Sequence, residues 1–171
     1  MASDAADWAG SVVVGVVPDL PARVLDEAVR YAGLFGVGLV VAYVDVTRFV
    51  TYEDPDGTPH TAPIDINIAG AADAVEKVRL QAAARLDRSE VRWTVRSLVG
   101  DPAMALKDLA EQLDAPLIVV GTRRRGLGET IREFFTGAVA ARLAHRQRRP
   151  VLVVPLQDPV PDDVEEWPAK S

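Results

Sequence analysis

Residues Gly121 to Arg125 read Gly-Thr-Arg-Arg-Arg and are followed by Gly126 and Gly128. They come directly after the apolar run Leu117–Val120 and directly before a segment with helical spacing. A strand that stops at a glycine loop and turns into a helix presents unpaired N–H groups and the positive end of the helix dipole. Both suit an anion. Arginine side chains beside such a loop add planar forks that fit phosphate. From Gly121 to Arg149, eight arginines face two glutamates, a local balance of +6 in a chain whose net charge is −6. That contrast favours a small anionic ligand over nucleic acid. The competing reading is a solvated basic helix face.

Other chemistry is short of parts. The chain has no cysteine, which excludes disulfides, thiolate zinc sites and cysteine nucleophiles. His60 lies near Asp54, Asp56 and Asp65, but their spacing is irregular for a metal site, and no metal is expected. His145 sits at the end of the last helical segment, where it complements the dipole. There is no Gly-x-Ser-x-Gly elbow, and no Gly-Lys-Ser/Thr of a phosphate-binding P-loop. No catalytic residue is assigned, and the expectation is a protein that is not an enzyme.

The elements that must position the loop follow from apolar runs and periodicity. Ser11–Val17 and Leu39–Val46 are continuous β-branched runs, as in central parallel strands covered on both faces. Between them Val24, Ala28, Tyr31, Ala32 and Phe35 have helical spacing, stopped by Gly36 and Gly38. Thr47–Gly70 is polar and rich in proline, and reads as a mobile loop. Helical spacing resumes over Ala71–Leu86. In Val91–Leu98, apolar and polar residues alternate, which suits a sheet edge. Gly100-Asp101-Pro102 is a helix start, with Asp101 as the cap. A further helix is expected over about Ile131–Ala144, and a last strand over Val151–Val154.

This alternation predicts an α/β fold with a doubly wound, five-stranded parallel sheet and right-handed crossovers. An order of 3-2-1-4-5 puts the alternating strand at an edge and the apolar first and fourth strands inside. The strand order then reverses between the first and fourth strands, where ligands of such sheets bind. Val17, Pro18 and Asp19 meet Gly121–Arg125 there. The 171 residues suit one domain over 11–156, with a flexible arm at 1–10 and an acidic tail at 157–171. The start, MASDAADWAG, has no apolar core segment, and no apolar run is long enough for a bilayer. The expected location is cytoplasmic, with no membrane or nucleic-acid partner.

Four segments carry a family resemblance: the first-strand run VVVGVV, VGDPAMAL at 99–106, DAPLIVVGTR at 114–123 and GAVAARLAHRQRRPVLVVP at 137–155. In this order they resemble the universal stress protein family over nearly the whole chain. The resemblance implies an adenine nucleotide alpha hydrolase-like (Rossmann-like) fold. It also implies that nucleotide-binding members carry Gly-x2-Gly-x9-Gly-Ser/Thr, an aspartate ending the first strand and a backbone contact from the second. In this chain the first motif glycine is Gly121, and the second falls at Arg124. The last is Gly137, with twelve residues between rather than nine, and the hydroxyl position falls at Ala138. The first-strand aspartate falls at Val17, with Asp19 two residues on, and the second-strand contact falls near Val44.

By resemblance, then, the positions implied to meet a nucleotide are Val17, Pro18, Asp19, Val44, Gly121, Thr122, Arg123, Arg124, Gly137, Ala138 and Val139. Arg124 adds a side chain where bare backbone would approach phosphate. Ala138 lacks the hydroxyl donor, a loss of about 1–2 kcal/mol if nothing replaces it. Val17 lacks the carboxylate. The expectation is a non-enzymatic stress-response module with altered, weak or absent binding of ATP or another adenine nucleotide. Two alternatives stand beside it: a retained ATP site with slow hydrolysis, and a nucleotide-free protein-interaction dimer. In the family the last strand pairs across a two-fold axis, which implies a homodimer through Val151, Leu152, Val153 and Val154.

Overall fold

The computed structural model describes residues 6–19, 21–46, 48–53, 59–63, 68–122 and 138–156. The elements in chain order are β1 (Val12–Val16), α1 (Ala22–Phe35), β2 (Leu39–Asp45), β3 (Arg48–Glu53), β4 (Pro59–Pro63), α2 (Ile68–Leu86), β5 (Trp93–Val99), α3 (Pro102–Gln112), β6 (Ile118–Gly121), α4 (Ala138–Arg146) and β7 (Val151–Val154). Five strands form one parallel sheet in the order β5-β2-β1-β6-β7. Counted along that sheet's own strands, this is the expected 3-2-1-4-5.

Alternation within β1 builds both cores. Val12, Val14 and Val16 join Val24, Leu25, Ala28 and Ala32 of α1 and Val78, Ala82 and Leu86 of α2 on one face. Val13 joins Ala103, Leu106, Leu109 and Ala110 of α3 and Val139 and Leu143 of α4 on the other. Each of the valine and leucine side chains contributes about 1.5–3 kcal/mol by leaving water, and each alanine methyl about 0.8 kcal/mol. The period of two explains why an unbroken valine run belongs in the middle of the sheet: both of its sides are covered. On the edge strand β5, Trp93 and Val95 pack toward the α1–α2 core and Leu98 toward the other.

Local signals end the helices where the sequence places them. Gly36 closes α1 in the left-handed region (φ 67°), and its N–H returns to the last turn. Asp101 caps α3 by accepting the Met104 N–H at 3.0 Å, with Pro102 at the first helical position.

Two expectations are corrected. The stretch read as a mobile loop holds β3 and β4, an antiparallel two-stranded sheet with an irregular register between Val50 and Tyr52, and α2 already begins at Ile68. Phe49, Val50, Thr51 and Tyr52 are β-formers. The prolines that argued against strands, Pro59 and Pro63, stand at the two ends of β4, where a strand tolerates them. Residues 6–10, expected within a flexible arm, are tied to the body. The Gly10 N–H donates to the Leu113 carbonyl at 2.6 Å, and Arg92 stacks over Trp8 at 4.8 Å while donating to the Asp7 carbonyl. Among the described residues no helix is long and apolar enough to cross a membrane.

Candidate functional site

Register assembles the carboxyl edge of the sheet. Val14 pairs with Val119 and Val16 with Tyr43. One row further along therefore carries Val44 of β2, Val17 after β1 and Thr122 after β6, side by side. These are three of the positions singled out from the sequence. They meet where the strand order reverses, the usual ligand edge of an open α/β sheet.

Each residue of this row is already engaged. Val44 is buried, and Val17 and Pro18 are half-buried. Asp19 takes a left-handed backbone (φ 62°), which aspartate tolerates better than most residues. Its N–H donates to Gln81 Oε1 at 3.1 Å, Gln81 Nε2 donates back to Asp19 Oδ1 at 3.1 Å, and Lys77 Nζ lies 3.4 Å from Oδ2. The turn after β1 is thus hooked to α2, and its carboxylate binds that helix.

Gly121 is the last residue of β6, paired with Val154, rather than the first residue of the loop. A methyl group at Gly121 would lie 3.1 Å and 3.2 Å from the two terminal carbons of Leu156 and 3.2 Å from Val24 of α1. The glycine therefore has a packing reason: α1 and the chain after β7 close over it. Thr122 fastens the same corner. Its N–H donates to the Val154 carbonyl and its Oγ1 accepts the Leu156 N–H, both at 2.8 Å.

Of the remaining expected positions, Arg123, Arg124 and Gly137 lie outside the described residues, as do Arg125, Gly126 and Gly128. Ala138 opens α4, and Val139 is buried in the core cluster that includes α3. The helix expected over Ile131–Ala144 is described from Ala138 to Arg146.

Three groups at this edge were not singled out for chemistry. Asp45 ends β2 with only 4% of its surface exposed, and its carbonyl accepts the Gly100 N–H at 3.1 Å. A charged residue closing an apolar strand is the sequence signal for it. Tyr43 stays a neutral phenol beyond its ordinary range, first because it is buried and second because of the negative charge of Asp45. Arg142 of α4 forks onto Asp101, with Nη1 at 2.6 Å from Oδ2 and Nη2 at 2.9 Å from Oδ1. Burial works to raise the Asp101 carboxyl, but the Arg142 fork and the Met104 N–H outweigh it and hold it below its ordinary value. Only the helix cap was legible in the sequence. The described residues contain no cluster of three or more histidine, cysteine or carboxylate side chains that could hold a metal ion.

A family model described as the universal stress protein family matches residues 10–155. Among solved structures, the chain is similar to a universal stress protein family member from Burkholderia pseudomallei (24% identity, TM-score 0.58, 85% of this chain and 96% of that one). It is similar to a universal stress protein in complex with cAMP (24% identity, TM-score 0.53, 87% and 99%). A third is the universal stress protein from Archaeoglobus fulgidus in complex with dAMP (24% identity, TM-score 0.50, 86% and 98%). These likenesses establish the fold. Comparison with curated proteins finds no match.

Proposed function

The chain belongs to the universal stress protein family, and from that premise we propose a non-enzymatic stress-response module whose adenine-nucleotide site is altered, so that it binds nucleotide weakly or not at all. A cytoplasmic location is part of the proposal. The observation that carries it is the commitment of the only carboxylate in the turn after β1. Val17 occupies the family's aspartate position, and Asp19 is bonded to Gln81 and Lys77 of α2. A nucleoside hydroxyl there would meet a carboxylate already oriented and partly neutralised by Gln81 and Lys77, two residues past the family's aspartate position. The cAMP and dAMP bound to similar proteins make adenine nucleotides the ligands to test. Calorimetry with ATP, ADP, AMP and cAMP, with and without magnesium, should give no affinity tighter than about 10 μM, or about 7 kcal/mol. A tighter complex would overturn the reading in favour of a retained site.

A second reading, a homodimer through β7, is favoured by Val153, which is 41% exposed on an apolar strand at the end of the sheet. An apolar edge offers unpaired backbone groups to a second copy. Light scattering at micromolar concentration should give twice the monomer mass, and Val153→Lys should shift it to the monomer. A wild-type monomer would sink this reading.

A further inference from the structure

Among the described residues, the large apolar side chains left open to solvent are Leu34 (69% exposed), Phe35 (49%), Leu80 and Val153. Leu34 and Phe35 share the last turn of α1, and the Phe35 ring packs on Tyr31 one turn back, centroid to centroid 6.2 Å. A single exposed apolar side chain is ordinary, but a contiguous group marks a contact surface.

Helix geometry fixes which way this group faces. Asp26 and Gly33 stand on the flank of α1 toward α2 and β5, because Asp26 accepts from Arg85 and Gly33 adjoins Val91. At about 3.6 residues per turn, Tyr31 and Phe35 stand on the opposite flank, in line with Val24. Val24 adjoins the corner where Leu156 covers Gly121, and Gly121 pairs with Val154 of β7. From that carboxyl corner α1 runs to the amino edge of the sheet, where the Val12 N–H donates to the Gly38 carbonyl at 2.9 Å. The aromatic flank is therefore continuous with the open edge at β7.

The occupant that fits this surface is a second copy of the chain. β7 has four residues, and such an edge alone falls far short of the about 1,200–2,000 Å² that a stable interface buries. A dimer through β7 has to enlist what flanks it. Val151 packs on the α3–α4 side and Leu152 on the α1 side, so the period of two sends Val153 toward α4. On the α1 side the flank offers Tyr31, Leu34 and Phe35, and an aromatic side chain brings about 150–250 Å² to a contact. Charge does not oppose this approach, since Glu27 and Arg30 of the same helix pair with each other at 3.3 Å. An antiparallel two-fold contact sets the amino end of one β7 beside the carboxyl end of the other. The α1 group lies at the amino edge, so it faces the other copy's carboxyl corner, where Pro155 is exposed and Leu156 half-buried.

We propose that the end of α1 is an interaction surface for a second copy, and that Tyr31, Leu34 and Phe35 of each protomer close over Leu156 of the partner subunit. The inference rests on the β7 homodimer reading and adds the surface that gives that contact its area and its direction. Each protomer then buttresses the corner of the other at which Leu156 covers Gly121 and bonds to Thr122.

The chain has no cysteine, so introduced thiols report one contact at a time. Within a protomer, Phe35 and the Leu156 corner lie at opposite ends of α1, separated by about 16 Å of helix. A disulfide needs Cα atoms within about 7 Å. Mild oxidation of the double variant Phe35→Cys, Leu156→Cys, or a bismaleimide too short for the span within one protomer, should therefore give a covalent dimer, and either single variant should give little. Leu34→Glu and Phe35→Glu, at side chains open to solvent in the single protomer, should each raise the dimer dissociation constant roughly tenfold or more in a dilution series followed by light scattering. Leu80→Glu, an equally exposed site on α2, should leave it unchanged. Unchanged dimer affinity in Leu34→Glu and Phe35→Glu, with Val153→Lys monomeric, overturns the α1 surface and leaves the β7 reading standing. Covalent dimer at equal yield from Phe35→Cys alone overturns the pairing with Leu156. A wild-type monomer overturns both readings and leaves the α1 surface to an unlike partner.

Discussion

On one face of the sheet, Asp26 of α1 and Arg85 of α2 form a fork; on the other, Asp101 and Arg142 tie α3 to α4. The chemistry is the same and the setting differs. The first pair joins the flanks of two helices, with side chains 40% and 52% exposed, where water competes for every bond. The second is more shielded and sits on a helix cap at the ligand edge. Each layer also approaches the sheet over a glycine. Gly121 lies beneath Val24 of α1 and Leu156, and Gly15 beneath Leu106 of α3, where an added methyl carbon would sit only 2.8 Å from Leu106 Cδ1. The α1–α2 layer is thus held mainly by apolar area. In the α3–α4 layer, apolar area is joined by a directional polar anchor.

The strongest test of that contrast is Leu106→Ala. Leu106 is fully buried on the α3 side, and its truncation should cost about 2–5 kcal/mol in urea unfolding. Adding Gly15→Ala should recover part of this, because the new methyl group then enters the space Leu106 vacated. A further loss in the double variant would refute the close-approach account of Gly15.

Gly121→Val comes next, with an expected cost of about 1–3 kcal/mol from overpacking against Leu156 and Val24. In a Leu156→Ala background the same substitution should cost clearly less. An undiminished cost would return Gly121 to a purely conformational role.

The smallest effects separate the two forks. Asp101→Ala should cost about 1–2 kcal/mol, most of it the cap, while Asp26→Ala should leave the melting temperature nearly unchanged. The Asp101 contribution also depends on pH. Its carboxyl is held below the ordinary value near 3.9, so the folded state binds its proton less readily than the unfolded chain. The stabilisation is present in full above that ordinary value and is lost as pH falls toward and through the lowered one. The stability gap between wild type and Asp101→Ala should stay level from about pH 5 to 8 and narrow below about pH 4. A gap that widens in acid would contradict the assignment.

How much of this was legible in the sequence depended on the range of each interaction. The valine run of β1, the spacing of Val24, Ala28 and Ala32, and the Gly100-Asp101-Pro102 start are local patterns, each tied to one element's geometry. The hairpin β3–β4 was obscured because Pro59 and Pro63 argue against strands unless their terminal positions are known. At the candidate site, the meeting of Val17 with Thr122 followed from strand order. What those residues bond to did not.

The sequence by itself determined the parallel sheet and its 3-2-1-4-5 order, because apolar period and crossover handedness leave few alternatives, and its four motif segments carried the resemblance to the family. Only the tertiary structure decided that Asp19 turns to Gln81, that Leu156 covers Gly121 and that Asp101 is shared between Met104 and Arg142. Each of these joins residues far apart in the chain. Their partners are set by how the helices dock on the sheet, and that docking is a property of the packed layers rather than of any local stretch.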